Sequence, residues 1–444
     1  MVSRVGRAQL AGRLPYHGIS VQMNVSPREI AYLAVLGSLR EESFVEDKIE
    51  TWRQSCQPAA RDLHFCQAIA YGAVQMALAL DYLAEQLTAK HKLKLKLKER
   101  ALLRLALYQC YFMDRVPLFA IANESVAIAK RYCSQHFGQF LNAILRKTAD
   151  VPLALPRAQS IEGMSIRYSY PPYFVSELVR DYGPEQAVSI MEVGNAPGRI
   201  MVRQRNGAEL MPAHGIVEGL KPLSYVSFPM AEVSDVSQLP LIAASADFYI
   251  QNITPAALMH RLCAQGTSPV KLLDLCASPG GKLLAAHDFL PQAELFANDV
   301  SEEKLMRLRQ NMQKYGMQAK LSCLPGENYP QTAQFDVVIL DVPCSNTGVL
   351  HKRPEARWRI SEESLDALEK TQLRLIEHAC QLLAPQGCIW YMTCSILKRE
   401  NELLIQKACR NFGLVVYQQQ DTILPNLQGW DGGFACSLQI AQRH

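Results

Sequence analysis

Two cysteines, each closing an apolar run, are the residues of this 444-residue chain best suited to chemistry. One stands in Asp341-Val-Pro-Cys-Ser-Asn-Thr-Gly-Val349, the other in Tyr391-Met-Thr-Cys-Ser-Ile396. A free cysteine is commonly an inert, buried apolar residue, and either one alone reads that way. Set after a strand among polar, turn-forming residues, Cys344 and Cys394 gain the partly exposed setting that a reactive thiolate needs. One reaction that asks for such a pair is methylation at carbon 5 of a cytosine. A thiolate adding at carbon 6 makes carbon 5 enamine-like, so that it attacks a sulfonium methyl; a base then removes the carbon 5 proton and the thiolate leaves. Asp341 is placed to assist at ring nitrogen 3. The base would have to be unstacked to reach such a pocket.

A second constellation could hold a ligand. Leu273-Asp-Leu-Cys-Ala-Ser-Pro-Gly-Gly-Lys282 puts a glycine-rich turn between an apolar run and a helix. Gly280 and Gly281 allow close backbone approach, and amides exposed at a helix start hold an anionic or polar group. The segment is neither GxGxxG nor a P-loop. A generic tight turn explains the glycines, but not also an aspartate at the strand end and a lysine after the turn. About twenty residues on, Asp299 closes the next apolar run, where an acidic side chain accepts from a ribose hydroxyl pair. A helix cap is the plainer role for Asp299, but Ser301 is better placed for it. Gly326-Glu327 could reach an adenine edge, and a plain surface loop accounts for it equally well.

The elements positioning these groups follow from periodicity. From Val270 on, apolar strands alternate with helices: Val270–Leu275, Lys282–Phe289, Ala293–Val300, Ser301–Tyr315, Ala319–Leu324, Phe335–Val342, Glu362–Leu383 and Cys388–Thr393. Such alternation implies an α/β domain with a mostly parallel sheet, whose chemistry lies beyond the carboxyl ends of its strands. Arg28 to Arg146 reads instead as consecutive helices, with helical spacing in Ile30–Leu39, Leu63–Leu87, Leu102–Phe112 and Ile121–Ala129. Pro152, Pro156 and the polar stretch Gln159–Gly163 mark a linker. Short strands are expected around Ile200–Gln204 and Asp247–Gln251. The chain thus divides into an all-α domain over 1–150, a small α+β domain over 151–250 and the α/β domain over 251–444.

Composition bounds the rest. Hydrophobic residues make up 49% and charged residues 20% of the chain, the balance of a soluble protein of two or three domains. The longest uncharged apolar stretch, Leu63–Leu80, carries His64, Gln67 and Gln75 and reads as a buried helix rather than a membrane span. Arg4, Arg7 and Arg13 interrupt the first twenty residues, so no secretory signal is expected and a cytoplasmic location is. Thirteen cysteines without a CxxC pair argue for reduced thiols and against a zinc site. Residues 1–150 carry 20 Lys and Arg against 13 Asp and Glu, and the rest of the chain 26 against 29. A basic N-terminal surface suits a phosphate backbone through counterion release, although a solvated face gives the same count. The four lysines of Lys92–Lys98 are candidates for RNA contact, or a solubilising connector.

These residues together resemble a known family. Asp274-x-Cys-Ala-Ser-Pro-Gly-Gly-Lys282, Asp341-Val-Pro-Cys344 and Thr393-Cys394-Ser look like the RNA 5-methylcytosine methyltransferases of the Sun/RsmB/NOP2 group, in that group's order and spacing. Ala31-Tyr-Leu-Ala34, Leu105-Ala-Leu-Tyr108 and Phe140–Arg146 resemble the NusB-like RNA-binding domain. The resemblance implies a Rossmann-like class I methyltransferase domain, S-adenosylmethionine as cofactor, and small-subunit ribosomal RNA as substrate, with no membrane or metal partner. It also implies that Cys276, Ala277, Ser278, Pro279, Gly280, Gly281, Lys282, Asp299, Glu327 and Asp341 line the cofactor site, that Cys394 is the nucleophile, and that Cys344 promotes release. DNA cytosine methyltransferases use the Pro-Cys cysteine as nucleophile, which would exchange the two roles. The chain departs from the family at Glu327, often Asp, at Asn346, often Gly or Ala, and at Gln251-Asn252, often Gln-Asp. A monomer is expected, since no dimerisation segment stands out. A binding module with a scaffold-like second half would have no need of Asp341, Cys344 and Cys394 together. An enzyme acting on amides or amines would carry Asn-Pro-Pro-Tyr, which is absent after the fourth strand.

Overall fold

The computed structural model describes residues 25–88, 92–205, 219–264, 269–331, 334–419 and 421–441. The segment of Arg4, Arg7 and Arg13 lies outside them. The chain forms two compact units, one of residues up to Val74 with Leu83–Leu153, the other of Gln75–Tyr82 with Ala154 onward.

Up to Lys147 the described chain is helical: α1 Pro27–Leu39, α2 Val45–Cys56, α3 Ala60–Gln75, α4 Ala77–Leu87, α5 Leu97–Phe112, α6 Leu118–Ile128 and α7 Gln135–Lys147. Ser26 starts α1 by accepting from the Glu29 amide at 3.3 Å, with Pro27 in the first turn, and Ser134 caps α7 in the same way. The motifs that resemble a NusB-like domain supply core residues. Ala31 and Tyr32 of α1, Leu105 of α5 and Leu141 of α7 are all buried. Arg28 reaches Gln109 of α5 at 2.7 Å and also pairs with Glu124 of α6, so a buried cation holds three helices in register. Lys96 ends the lysine-rich connector as an extended residue, and its amide donates to Glu99 at 2.9 Å to open α5. The apolar stretch Leu63–Leu80 is broken at Met76, where α3 and α4 bend by 78°. No single helix among the described residues is long and apolar enough to cross a membrane.

The second unit starts with three helices, α8 Ile161–Tyr168, α9 Pro172–Tyr182 and α10 Pro184–Asn195. A four-stranded antiparallel sheet follows in the order β2-β3-β1-β4, from β1 Met201–Gln204, β2 Leu220–Pro222, β3 Met230–Val233 and β4 Phe248–Ile250. Periodicity points to β1 and β4 but not to the central β3 or to β2, which are too short to show alternation. After α11 Leu239–Ala244 and α12 Ile253–Cys263 come β5 Lys271–Asp274, α13 Gly281–Phe289, β6 Glu294–Asn298, α14 Glu302–Tyr315, β7 Lys320–Ser322, β8 Phe335–Asp341, α15 Glu362–Leu382, β9 Leu383–Thr393, α16 Glu402–Phe412, β10 Leu414–Gln419 and β11 Phe434–Ile440. The seven strands form one sheet, ordered β10-β11-β9-β8-β5-β6-β7. β5 to β9 run parallel, and β11 lies antiparallel between β9 and β10. Apolar side chains alternate between its two faces, Leu272, Val337 and Trp390 on one, Leu273, Val338 and Tyr391 on the other, each under a layer of helices. The fold is therefore an all-α unit followed by a mostly parallel α/β sheet with a small antiparallel sheet ahead of it, as the periodicity implies.

Candidate active site

The strand order puts the carboxyl ends of β5, β6 and β8 side by side, and the loops leaving them shape one cavity of about 640 Å³. β5 ends at Asp274, whose carboxyl is buried. One oxygen accepts from the Cys276 amide at 3.3 Å, and the other has no partner. Burial, helped by the charge of nearby Asp341, raises this carboxyl to about 7. The turn then folds back: the Ala277 amide donates to the Asn298 carbonyl at 2.8 Å, and Gly280 takes φ +102°. A Cβ at Gly280 would stand 2.4 Å from Leu308 Cδ1, and one at Gly281 would stand 2.9 Å from the Tyr249 hydroxyl. Both glycines thus let α13 begin against α14 and β4.

Asp299 follows β6. Its two oxygens accept from the backbone amides of Ser278 at 3.3 Å and Ser301 at 3.0 Å, each keeping a free lone pair. Ser301 caps α14 through the Lys304 amide, which leaves Asp299 to the cavity wall. Of the residues singled out in the sequence, Cys276, Ser278, Pro279, Asp299, Glu327, Asp341, Cys344 and Cys394 line the cavity. Ala277, Gly280, Gly281 and Lys282 are not part of its lining. Ala277 is packed into the core, the glycines shape the turn, and the Lys282 ammonium reaches Asp341 at 2.5 Å. Burial works against that ammonium, but Asp341 and the nearby Cys394 sulfur outweigh it and raise its pKa.

The two sulfurs meet at the floor. Cys344 leaves β8 and Cys394 leaves β9, its parallel neighbour in which Asp341 is in register with Met392. Their Sγ atoms are 3.1 Å apart. Cys394 also bonds the Asn346 side-chain oxygen at 3.2 Å, while the Asn346 amide nitrogen donates to the Cys344 carbonyl at 3.0 Å. The Cys344 thiol is held well above its ordinary value, by its hydrogen bond to Cys394, by burial, and by the charges of Cys394 and Glu400. Asn346 has φ +58°, a left-handed backbone that favours glycine or asparagine. At 252, Asn donates to the Gly429 carbonyl at 2.7 Å, a bond that an aspartate could not make. The expectations drawn from the sequence omit Asn346 as a thiol partner, Arg353 and Leu375 as lining, and Glu400. Ser345 and Ser395, one directly after each cysteine, were the only hint of a shared polar anchor.

A family model described as 16S rRNA methyltransferase RsmB/F matches residues 265–436, and a NusB family model matches residues 25–150. Ribosomal RNA small subunit methyltransferase B of Vibrio cholerae is 30% identical over 398 residues, covering 85% of this chain and 89% of the relative. The chain belongs to the RsmB/F family. RsmB/F proteins are S-adenosylmethionine-dependent methyltransferases, and so is this one. Another relative, ribosomal RNA small subunit methyltransferase B of Photorhabdus laumondii, is 26% identical and covers 85% of this chain and 90% of its own. Among solved structures, PH0851 superposes with a TM-score of 0.74 at 20% identity, over 94% of this chain and 99% of that one. NSun6 from Pyrococcus horikoshii, solved with SFG, superposes with a TM-score of 0.53 at 18% identity, over 62% of this chain and all of that one. At these identities the likeness to the solved structures shows the fold alone.

Proposed function

We propose that this chain methylates carbon 5 of a cytosine in small-subunit ribosomal RNA through a covalent adduct of Cys394, and that residues 1–150, 151–250 and 251–444 are its RNA-binding, intermediate and catalytic domains. The observation that carries the reading is the Cys344–Cys394 sulfur pair, 3.1 Å apart in the cavity that also holds Asp299 and Asp341. The cavity suits S-adenosylmethionine: its volume is that of a small-molecule site, and the Ser278 hydroxyl on its wall is buried without a partner. Asp299 would accept from the ribose hydroxyls and Glu327 would lie toward the adenine, with the turn Cys276–Gly281 beneath. Bound there, the cofactor supplies an electrophilic methyl group.

The protein supplies the rest. Either sulfur can donate across the pair, and the Cys394 thiol also faces the Asn346 oxygen; once Cys394 has lost its own proton to solvent, the Cys344 thiol donates to it, the pair shares one proton and Cys394 is free to add at carbon 6. As Cys394 adds, ring nitrogen 3 takes a proton from water, and Asp341, fixed by Lys282, accepts from the resulting N–H. Adduct formation turns Cys394 into a neutral thioether and removes the largest influence holding the proton on Cys344. Cys344 then gives that proton to solvent and, as a thiolate, takes the carbon 5 proton; the electron pair left at carbon 5 restores the carbon 5–carbon 6 double bond and expels Cys394 as a thiolate.

The test is to incubate wild type, Cys394→Ala and Cys344→Ala with labelled S-adenosylmethionine and small-subunit ribosomal RNA and to run denaturing gels. Cys344→Ala should accumulate a protein–RNA band, and Cys394→Ala should give neither band nor 5-methylcytosine. The reverse pattern would assign the nucleophile to Cys344, and no labelled RNA with any protein would sink the reading.

A further inference from the structure

The loops that carry the two cysteines are tied to one buried side chain. Glu400 lies on the short 3-10 turn Lys398–Glu400 and is fully buried. One of its carboxylate oxygens accepts from the Ser345 amide at 2.9 Å and the Gln372 side chain at 3.1 Å. The other accepts from the Ser345 hydroxyl and, at 2.5 Å, from the Ser395 hydroxyl. Ser345 directly follows Cys344 and Ser395 directly follows Cys394. Gln372 of α15 also donates to the Pro343 carbonyl at 2.9 Å, immediately ahead of Cys344. Every group that meets the carboxylate is a donor, the surroundings an ionised carboxylate needs. No lysine, arginine or histidine pairs with Glu400 among the described residues. Burying a carboxylate to make these hydrogen bonds carries a desolvation penalty that a plain loop staple made of hydroxyls and amides would avoid.

We propose that Glu400 is a positioning residue for both cysteines: its hydrogen bonds set the Cys344–Cys394 separation, and its buried negative charge keeps the shared proton on Cys344 and leaves Cys394 to add. The charged and titratable groups around Cys344 make the division of labour specific. Cys394, Asp341 and Arg353 share its cavity, and Lys282 is bound to Asp341. Of these two cations Lys282 is engaged by Asp341, and neither it nor Arg353 pairs with Glu400, which sits behind the cysteine loops. Its charge contributes to raising Cys344 and is the second cause, after burial, that raises the neighbouring Tyr391 hydroxyl. The inference rests on the cysteine roles proposed above, and one of its readouts does not depend on them.

That readout is the pH dependence of Cys344 alkylation by iodoacetamide in the full chain, followed peptide by peptide by mass spectrometry in a Cys394→Ser background. Glu400→Gln keeps a hydrogen-bonding side chain of the same size and removes the charge. It should make Cys344 alkylate faster at pH 7.5, on the order of three- to tenfold, the equivalent of a half to one pKa unit. Glu400→Asp keeps the charge but shortens the reach, so it should leave the alkylation profile in place and slow methyl transfer. Where Glu400→Gln does not fold, Ser395→Ala serves: it removes one donor to the carboxylate, disfavours its ionised form and should move the profile in the same direction by less. An unmoved Cys344 profile in Glu400→Gln and Ser395→Ala, with methyl transfer merely reduced at every pH, would overturn the proposal and leave Glu400 as a structural staple. A moved profile in a protein that forms no RNA adduct would uphold Glu400 and count against the cytosine reading instead.

Discussion

The chemistry proposed for the site rests on side chains that are unremarkable one at a time. Cys344, Cys394, Asp341 and Asp299 are legible in the sequence because each closes an apolar run, and strand ends are where an α/β sheet exposes its chemistry. Glu400 is not legible, since its role depends on two loops 50 residues apart that only the sheet brings together. Asn346 and Asn252 look in the sequence like departures from a family pattern. In the structure the first satisfies a left-handed backbone and the second makes a bond that needs an amide. Asp274 gives the clearest residue-scale prediction. Its carboxyl stands near 7 in the folded protein, above the ordinary carboxylate range, so the folded state keeps a proton that the unfolded chain has released. Stability from this group is therefore full below about pH 4 and declines as pH rises toward 7. Thermal or urea unfolding of the ligand-free protein from pH 4 to 8 should show wild type losing about 2–4 kcal/mol more than Asp274→Asn across that window. Parallel curves would mean that the buried carboxyl is relieved in some other way.

At the scale of elements, the repeating strand–helix pattern from Val270 onward is readable because the inner strands are buried on both faces and each helix on one. The expected starts and stops hold to within a few residues, including the Ser301 cap and Gly316 in a left-handed conformation after α14. The pattern runs out where pairing is remote and short. β2 and β3 are three and four residues long; β3 is held by β1, and β2 only by β3. β9 begins at Leu383, five residues before the apolar stretch that reveals it, because a register shift against β8 lets Leu383 pair with Phe335. The caps support a test that is independent of catalysis. Ser301→Ala removes the hydroxyl that accepts from the Lys304 amide and should cost about 1 kcal/mol in urea unfolding. Because Asp299 also bonds the Ser301 backbone, the same variant should bind S-adenosylmethionine with wild-type affinity; a loss of binding beyond threefold would show that the cap and the cavity wall are coupled.

For the whole molecule, the helical unit and the sheet-bearing unit each match a separate family model, NusB and RsmB/F, and the charge asymmetry belongs to the first. Lys92, Lys94 and Lys96 are exposed in the connector before α5. If they meet RNA phosphates, replacing all three with glutamine should lower the slope of log affinity against log salt by about two to three, with S-adenosylmethionine binding unchanged. An unaltered slope would return that connector to the role of a solvated loop. The strand order has one more consequence, for how the protein comes into being. β11 is last in sequence yet sits between β9 and β10, with Phe434 in register with Thr393, the residue before Cys394. Chains fold as they are made, from the amino end. Cys344 is thus synthesised some 50 residues ahead of its partner, and Cys394 has no antiparallel neighbour until the final strand arrives. A ribosome part-way through this gene therefore holds a chain whose Cys344 loop has as yet no Cys394 loop beside it, so the two sulfurs can come together only after β9 has been made.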